Sequence, residues 1–142
     1  MNRKTILITF GAVLTVVSGL QIVRAQGASA AAGVYTEEQS KRGLELYKTQ
    51  CASCHGEDLK GNEIIPGLAG ETFLNNWRGK SIGDLFEKIN MTMPALDPGS
   101  LTPEQTADLI AQILSVSKYP AGQMALASSM EALQQIKIDA PK

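Results

Sequence analysis

The segment Cys51-Ala52-Ser53-Cys54-His55 carries the clearest chemistry in this chain. Two thiols three residues apart, followed at once by an imidazole, form the attachment sequence of a c-type haem. On one turn of helix, such cysteines can add to the two vinyl groups on one edge of the porphyrin, and the adjacent histidine then falls beneath the iron. The segment therefore predicts one covalently bound haem c, with Cys51, Cys54 and His55 as its attachment residues.

Two other kinds of site use similarly spaced cysteines. A thiol–disulfide redox motif of the thioredoxin type requires a preceding strand within a βαβ pattern, which is absent from the sequence around Cys51. A zinc site requires a second pair of Cys or His ligands, but the chain contains only two Cys and one His. The haem interpretation is therefore favoured over both.

The second axial ligand of a six-coordinate iron must come from outside the motif, because His55 is the only histidine. Methionine is the usual partner in electron carriers. Met93 is the best candidate, since Pro94 favours an extended conformation in the residue before it, from which the thioether can stand out towards the haem. Methionine more often fills gaps in a core, so other ligands stay open: Met91, Met124, Met130 or a lysine.

Four helices are predicted to position these groups. Thr36 and Gln39 form a capping box that opens the first helix, Ser81 caps the third, and Thr102 with Pro103 opens the last. Met91 is expected to pack at the end of the third helix. The predicted helices run from Thr36 to about Gln50, from Glu71 to Trp77, from Ser81 to Met91 and from Thr102 to about Lys118.

Three residues outside the motif carry further expectations. Gly43 lowers the stability of the first helix, which predicts a close crossing by another helix, although a tolerated surface glycine is the alternative. The carbonyl of Pro66, in the loop between Gly56 and Gly70, is expected to accept a hydrogen bond from the His55 ring. Trp77 is expected in the core, where its indole could also reach a haem propionate.

The N-terminus has the features of an export signal. Asn2-Arg3-Lys4 is a basic head, Thr5 to Val23 is almost wholly apolar, and cleavage is predicted after Ala25. The apolar run is also nearly long enough to span a bilayer, so an uncleaved anchor is the alternative. Both place the rest of the chain outside the cytoplasm, in the periplasm.

The remainder divides into three parts by composition. Residues 26–35 are predicted to be a flexible lead, residues 36–118 the haem domain, and residues 119–142 an extension that packs on the domain or docks a partner. Without residues 1–25 the chain has ten basic and fourteen acidic side chains, a net charge of about −4. No concentrated basic face suggests nucleic acid. The few large aromatic residues make a thin core, so the apoprotein is expected to be poorly folded without haem.

The order helix, CASCH motif, loop, helix, sulfur loop and terminal helix resembles class I monohaem c-type cytochromes over residues 36–118. The resemblance implies an all-α cytochrome c fold with three to five helices, thioethers at Cys51 and Cys54, and ligation by His55 and Met93. It also implies that the first helix crosses the last near Ile110 and Leu114. A narrower likeness is to bacterial periplasmic cytochromes that serve quinoprotein-type dehydrogenases.

The predicted function is one-electron transfer and not catalysis, from a dehydrogenase to a terminal oxidase or another cytochrome. The alternatives are an electron-transfer subunit fixed in a dehydrogenase complex and, if Met93 is not a ligand, an open-site sensor or peroxidase. Membrane contact is expected only if the N-terminal segment is uncleaved. Five basic residues either form a docking ring or are a solvated face: Lys48, Lys60, Arg78, Lys80 and Lys88.

Overall fold

Helices form about half of the computed structural model, which describes residues 28–141. The predicted signal or anchor of residues 1–25 lies outside the described residues. Five of the six α-helices fall within residues 36–118, which agrees with the predicted all-α cytochrome c fold. None of the helices between residues 28 and 141 combines the length and hydrophobicity needed to cross a membrane. The elements are β1 (Ala28–Ser29), α1 (Glu37–Gln50), α2 (Ala52–His55), α3 (Gly70–Trp77), α4 (Ile82–Thr92), α5 (Pro103–Val116), α6 (Met130–Gln134) and β2 (Ile136–Lys137).

The predicted caps begin three of these helices. Ser81 and Asp84 form a reciprocal capping box at α4, and Thr102 with Gln105 does the same at α5. At α1 the Thr36 hydroxyl accepts the Gln39 N–H, but the Gln39 side chain does not return the bond.

The amide of Gln39 instead binds the C-terminal extension. Its Nε2 donates to the Leu126 carbonyl at 2.9 Å, and its Oε1 accepts the Leu126 N–H at 2.7 Å. The predicted capping box is therefore only half formed, because a buried backbone segment offers Gln39 two hydrogen bonds in place of one.

Helices α1 and α5 cross in close contact, as Gly43 predicts. A Cβ atom on Gly43 would lie 1.9 Å from the Asp108 carbonyl oxygen. Beside this point Arg42 forms a bidentate ion pair with Asp108, with both distances at 2.8 Å. Gly43 thus lies directly against the backbone of α5 at Asp108, and Ile110 and Leu114 are buried in the adjacent core.

The core lies between α5, α1 and α4. Residues three and four apart on α5 form its buried stripe, and Phe73 and Tyr47 add the aromatic part. The expectation that Met91 packs is wrong, because its side chain is 64% exposed. Met91 follows the inward-facing part of α4 around Leu85 and Phe86, and two residues beyond Ile89 a helix has turned about 200° towards the opposite side.

The two ends of the described chain are joined. β1 and β2 pair in parallel, with Ala28 opposite Ile136. Ala30 and Tyr35 are buried, so the structure differs from the expectation of a flexible lead for residues 28–35. A small, featureless sequence can be ordered when a distant segment supplies its hydrogen bonds and contacts. The extension itself packs back on the domain, and its Leu133 and Ile138 belong to the core.

Candidate functional site

The CASCH motif occupies a tight junction between two helices. Cys51 ends α1 and begins α2, and the single turn of α2 is closed by the His55 N–H donating to the Cys51 carbonyl at 2.9 Å. This turn places the two thiols and the imidazole on adjoining positions, as the spacing predicts. Tyr47, one turn earlier on α1, donates its hydroxyl to the Gly56 carbonyl at 2.6 Å and holds the far end of the motif.

The His55 ring has a defined orientation. Its Nδ1 lies 2.9 Å from the Pro66 carbonyl oxygen, which agrees with the acceptor predicted for it. A carbonyl can only accept, so Nδ1 carries the proton and Nε2 keeps its lone pair for a metal. The ring is 8% exposed, and this second hydrogen bond is typical of a metal-ligating histidine.

The loop from Gly56 to Leu68 brings Pro66 to the histidine. The Gly61 N–H donates to the His55 carbonyl at 2.8 Å, and the Leu68 N–H donates to the Leu59 carbonyl at 2.7 Å. Gly61 has φ +66°, and a Cβ there would lie 2.2 Å from the Ile65 carbonyl oxygen. Only glycine satisfies both conditions, so the tight fold of this loop depends on it.

A cavity of about 430 Å³ opens beside the motif. Its volume is in the range of small-molecule and cofactor sites, and its walls are mainly apolar. The cavity is lined by Cys51, Cys54, His55, Met93, Tyr47, Gln50, Ile65, Pro66, Gly67, Leu68, Asn76, Trp77, Lys80, Leu85, Lys88, Ile89, Pro94, Ala95, Leu109 and Ile113. All four residues predicted from sequence as haem attachment or ligand residues therefore meet at one cavity.

Its position in the cavity distinguishes Met93 from the other methionines considered as ligands. Met93 has the extended conformation expected before proline, with φ −127° and ψ 151°. Of the methionines within residues 28–141, it is the one that lines the cavity. Met124 is 79% exposed, and Met130 packs partly buried against the core. Two lysines, Lys80 and Lys88, also line the cavity.

Burial governs the electrostatics of the motif. It raises the pKa of the Cys51 thiol to about 11, with a smaller contribution from Cys54. Burial likewise raises the pKa of Tyr47 to about 12, with smaller contributions from Cys51 and Asp58. Reactive cysteines in disulfide exchange have lowered pKa values, and the pKa of Cys51 is shifted in the opposite direction.

The residues present fit a haem c better than a bare metal ion. Within residues 28–141, no group of three or more His, Cys, Asp or Glu side chains is arranged to hold a metal. A flat apolar ring, by contrast, matches walls made of Leu68, Leu85, Ile89 and Leu109. Cys51 and Cys54 would bond the ring, and His55 and Met93 would ligate its iron.

Several lining residues were not predicted from sequence as part of the site. Tyr47, Gln50 and Asn76 have no motif of their own, and only the folding of α1 and α3 brings them to the cavity. Of the predicted docking ring, Lys80 and Lys88 reach the cavity, whereas Lys48 pairs with Glu45 and Lys60 pairs with Asp58. The ring as a whole stays a prediction.

Comparison with known proteins agrees with the site. The sequence model of the family described as "Cytochrome C oxidase, cbb3-type, subunit III" matches residues 38–113. The chain is similar to the cbb3-type cytochrome c oxidase subunit CcoP of Rubrivivax gelatinosus, with 29% identity over 91 residues. That alignment covers 58% of this chain and 28% of the relative, so the chain spans less than a third of that protein.

A solved structure shares the fold. The crystal structure of the sulfane dehydrogenase SoxCD from Paracoccus pantotrophus contains a chain that aligns with a TM-score of 0.51 and 20% identity. The alignment covers 77% of this chain and 62% of that one, and at this identity it shows the fold alone. The family match shows more than the fold, because it is a match in sequence that runs from α1 through the CASCH motif into α5. The chain belongs to the family of the cbb3-type cytochrome c oxidase subunit III and is a c-type cytochrome that carries one covalently bound haem c.

Proposed function

We propose that this chain is an exported one-electron carrier in which Cys51 and Cys54 would attach the haem and His55 and Met93 would ligate its iron. The observation that carries the proposal is that His55, oriented by Pro66, lines the same apolar cavity as Met93. With both His55 and Met93 as ligands, the iron would have no position left for a substrate, and the chain would act as a carrier and not as an enzyme.

The side chains around the cavity have separate tasks. When bound, haem c supplies an iron that changes between Fe(II) and Fe(III) by one electron. His55 donates its Nδ1 proton towards Pro66, which fixes the ring and raises the basicity of Nε2. The soft thioether of Met93 favours Fe(II), and the apolar walls disfavour the additional charge of Fe(III). Together these residues set a relatively high reduction potential.

The proposed location is the periplasm. The basic head and apolar run before Ala25 are typical of an export signal or anchor, and haem is attached to such motifs across the membrane from its synthesis. The proposed partners are redox proteins, with a dehydrogenase as donor and an oxidase or another cytochrome as acceptor. The exposed thiol of Cys54 marks the edge of the cavity at which electrons would enter and leave.

A second candidate is an electron-transfer subunit held permanently in a larger complex. The family description and the relative CcoP, both of them oxidase subunits by name, favour this alternative. A carrier would purify alone, from the soluble fraction or, if the N-terminal segment is an anchor, from detergent-solubilised membranes, whereas a fixed subunit would be recovered with the other chains of its complex. Purification from native membranes and soluble fractions distinguishes the two.

The optical spectrum of the purified protein tests the ligands. We expect a weak red band from Fe(III)–methionine charge transfer that disappears on reduction. Met93→Ala should retain covalent haem but lose this band and bind CO at once, because the sixth position is open. Met124→Ala is the matched control, since Met124 is exposed and outside the cavity. A Met93→Ala protein with the parent spectrum would refute the assignment, and a high-spin parent would favour a sensor or peroxidase.

A further inference from the structure

The turn between α3 and α4 forms a charged wall of the cavity. Trp77 and Lys80 both line it, and the Lys80 Nζ lies 4.8 Å from the centroid of the Trp77 ring. At this distance the ammonium group is attracted to the ring face, which restricts where it can point. The cavity lining contains Lys80 and Lys88 but no Asp or Glu of residues 28–141. The charge at this wall therefore suits an anionic group on the cofactor.

The C-terminal end of the chain holds this turn by its backbone. The Gly79 N–H donates to the Ile138 carbonyl, and the Ile138 N–H donates to the Lys80 carbonyl, each at 2.9 Å. Ser81 forms an antiparallel bridge with Lys137 next to these bonds. The turn is thus hydrogen-bonded on both sides of Lys80 to a segment more than fifty residues later in the chain.

Burial anchors the segment that makes these bonds. The Ile138 side chain is fully buried in the core. Strand β2, directly before it, is paired with β1 at the other end of the described chain. The turn is therefore bonded to a segment that is itself fixed in the core, although residues 119–141 do not line the cavity.

We propose that the C-terminal extension, through Ile138, is a positioning element of the haem cavity that holds Lys80 as the countercharge of a haem propionate. This inference rests on the proposed function, because it requires haem in this cavity. An exposed ion pair contributes little when both partners are flexible, because forming it costs side-chain entropy. Two backbone hydrogen bonds fix the main chain at Lys80, and the Trp77 ring restricts its ammonium group. Both reduce this entropy cost.

The proposal has a direct consequence for the reduction potential. A cation that offsets the propionate charge opposes the additional positive charge of Fe(III) and so favours Fe(II). Lys80→Gln should therefore lower the potential, changing the ratio of reduced to oxidised protein at fixed solution potential by about two- to fivefold, the size of a Coulomb interaction between unit charges roughly 10 Å apart at an effective dielectric constant of about 35–80. Lys80→Arg should restore the ratio, because arginine keeps the charge and stacks on aromatic rings.

The experiment compares full-length holoprotein variants in two measurements. The first is the reduction potential of Lys80→Gln, Ile138→Ala and the double variant. If Ile138 positions Lys80, the Lys80→Gln effect should shrink in the Ile138→Ala background. The second is tryptophan fluorescence, which reports Trp77 alone because the chain has one tryptophan. Haem close to Trp77 quenches this emission, so Ile138→Ala should increase it.

Two control variants separate positioning from loss of stability. Leu126→Ala removes another buried side chain of the extension, but Leu126 is paired with Gln39 on α1, so fluorescence and potential should stay at parent values. Lys41→Gln removes an exposed cation outside the cavity. Ile138→Val provides a milder change if Ile138→Ala does not retain its fold.

The outcomes are distinct. A normal haem spectrum with an unchanged potential in Lys80→Gln would overturn the countercharge role. Additive effects in the double variant would overturn the positioning role of Ile138. A parent protein with covalent haem but without the Fe(III)–methionine band would instead overturn the ligation in the proposed function and leave the countercharge role standing.

Discussion

Replacing Gly43 by alanine tests the helix crossing on which the fold depends. The added Cβ would lie 1.9 Å from the Asp108 carbonyl oxygen, where ordinary contact begins at 3.4 Å, so α1 and α5 would have to separate by about 1.5 Å. Alanine gains about 1 kcal/mol over glycine from helix propensity. Overpacking costs about 1–3 kcal/mol and more when the clash is with backbone. Because the clash at Gly43 is with backbone atoms, the cost lies in the upper part of that range, about 2–3 kcal/mol, and we expect a net loss of about 1–2 kcal/mol in the free energy of unfolding.

Urea unfolding of the holoprotein, followed by far-ultraviolet circular dichroism, measures this loss. A change of that size should lower Tm by about 5–10 °C in a domain of about a hundred residues. Lys41→Ala is the control, because Lys41 lies on the exposed side of α1 and such changes stay within about 0.5 kcal/mol. If Gly43→Ala is as stable as the parent, the close crossing is not a constraint and the packing argument fails.

Three further predictions concern residues that support the site from outside. Gln39→Leu should lower the free energy of unfolding by about 2–3 kcal/mol, because it leaves the buried N–H and C=O of Leu126 without partners; urea unfolding checks this, and a change below about 0.5 kcal/mol would contradict it. Hydrogen bonds from Ser81 lower the pKa of Asp84. Its carboxylate therefore stabilises the fold at pH values above the pKa of the unfolded state, near 4, and this stabilisation is lost as the pH falls through the lower pKa of the folded state. Asp84→Asn should therefore be less stable than the parent at pH 7 but nearly equal near pH 2, and a constant difference in Tm would argue against the cap. Gly61→Ala should disturb the loop that holds Pro66 against His55, which would shift the Fe(III) spectrum; an unchanged spectrum and Tm would show that the loop adapts.

Short sequence patterns predicted the structure correctly where it depends on residues close together in the chain. Helix caps depend on side chains within four residues, so Ser81 and Thr102 marked the starts of α4 and α5 correctly. The CASCH spacing likewise predicts the turn that groups Cys51, Cys54 and His55, because one helical turn determines that geometry. The Pro66 carbonyl was also predictable as the acceptor for the His55 ring, because a ligating histidine usually donates its second ring N–H to a backbone carbonyl and Pro66 lies in the loop after the motif.

The structure differs from the sequence predictions where a residue contacts a segment far away in the chain. Gln39 satisfies a capping pattern, yet its amide binds Leu126 because that segment folds back over α1. Met91 is exposed because the orientation of α4, and not the hydrophobicity of the residue, decides which side meets the core. The defined structure of residues 28–35 begins with pairing to β2, which lies more than one hundred residues later in the chain.

The sequence alone determined the cofactor, because covalent haem attachment requires a contiguous motif. It also determined the all-α fold, because hydrophobic periodicity and capping residues predict helices. Only the tertiary structure decided which residues line the cavity beside that motif. Tyr47, Asn76, Lys80 and Met93 come from four different segments, and the backbone of Ile138, near the end of the described residues, bonds to the turn that carries Lys80. Their proximity is a property of packing, which joins residues that no local pattern connects.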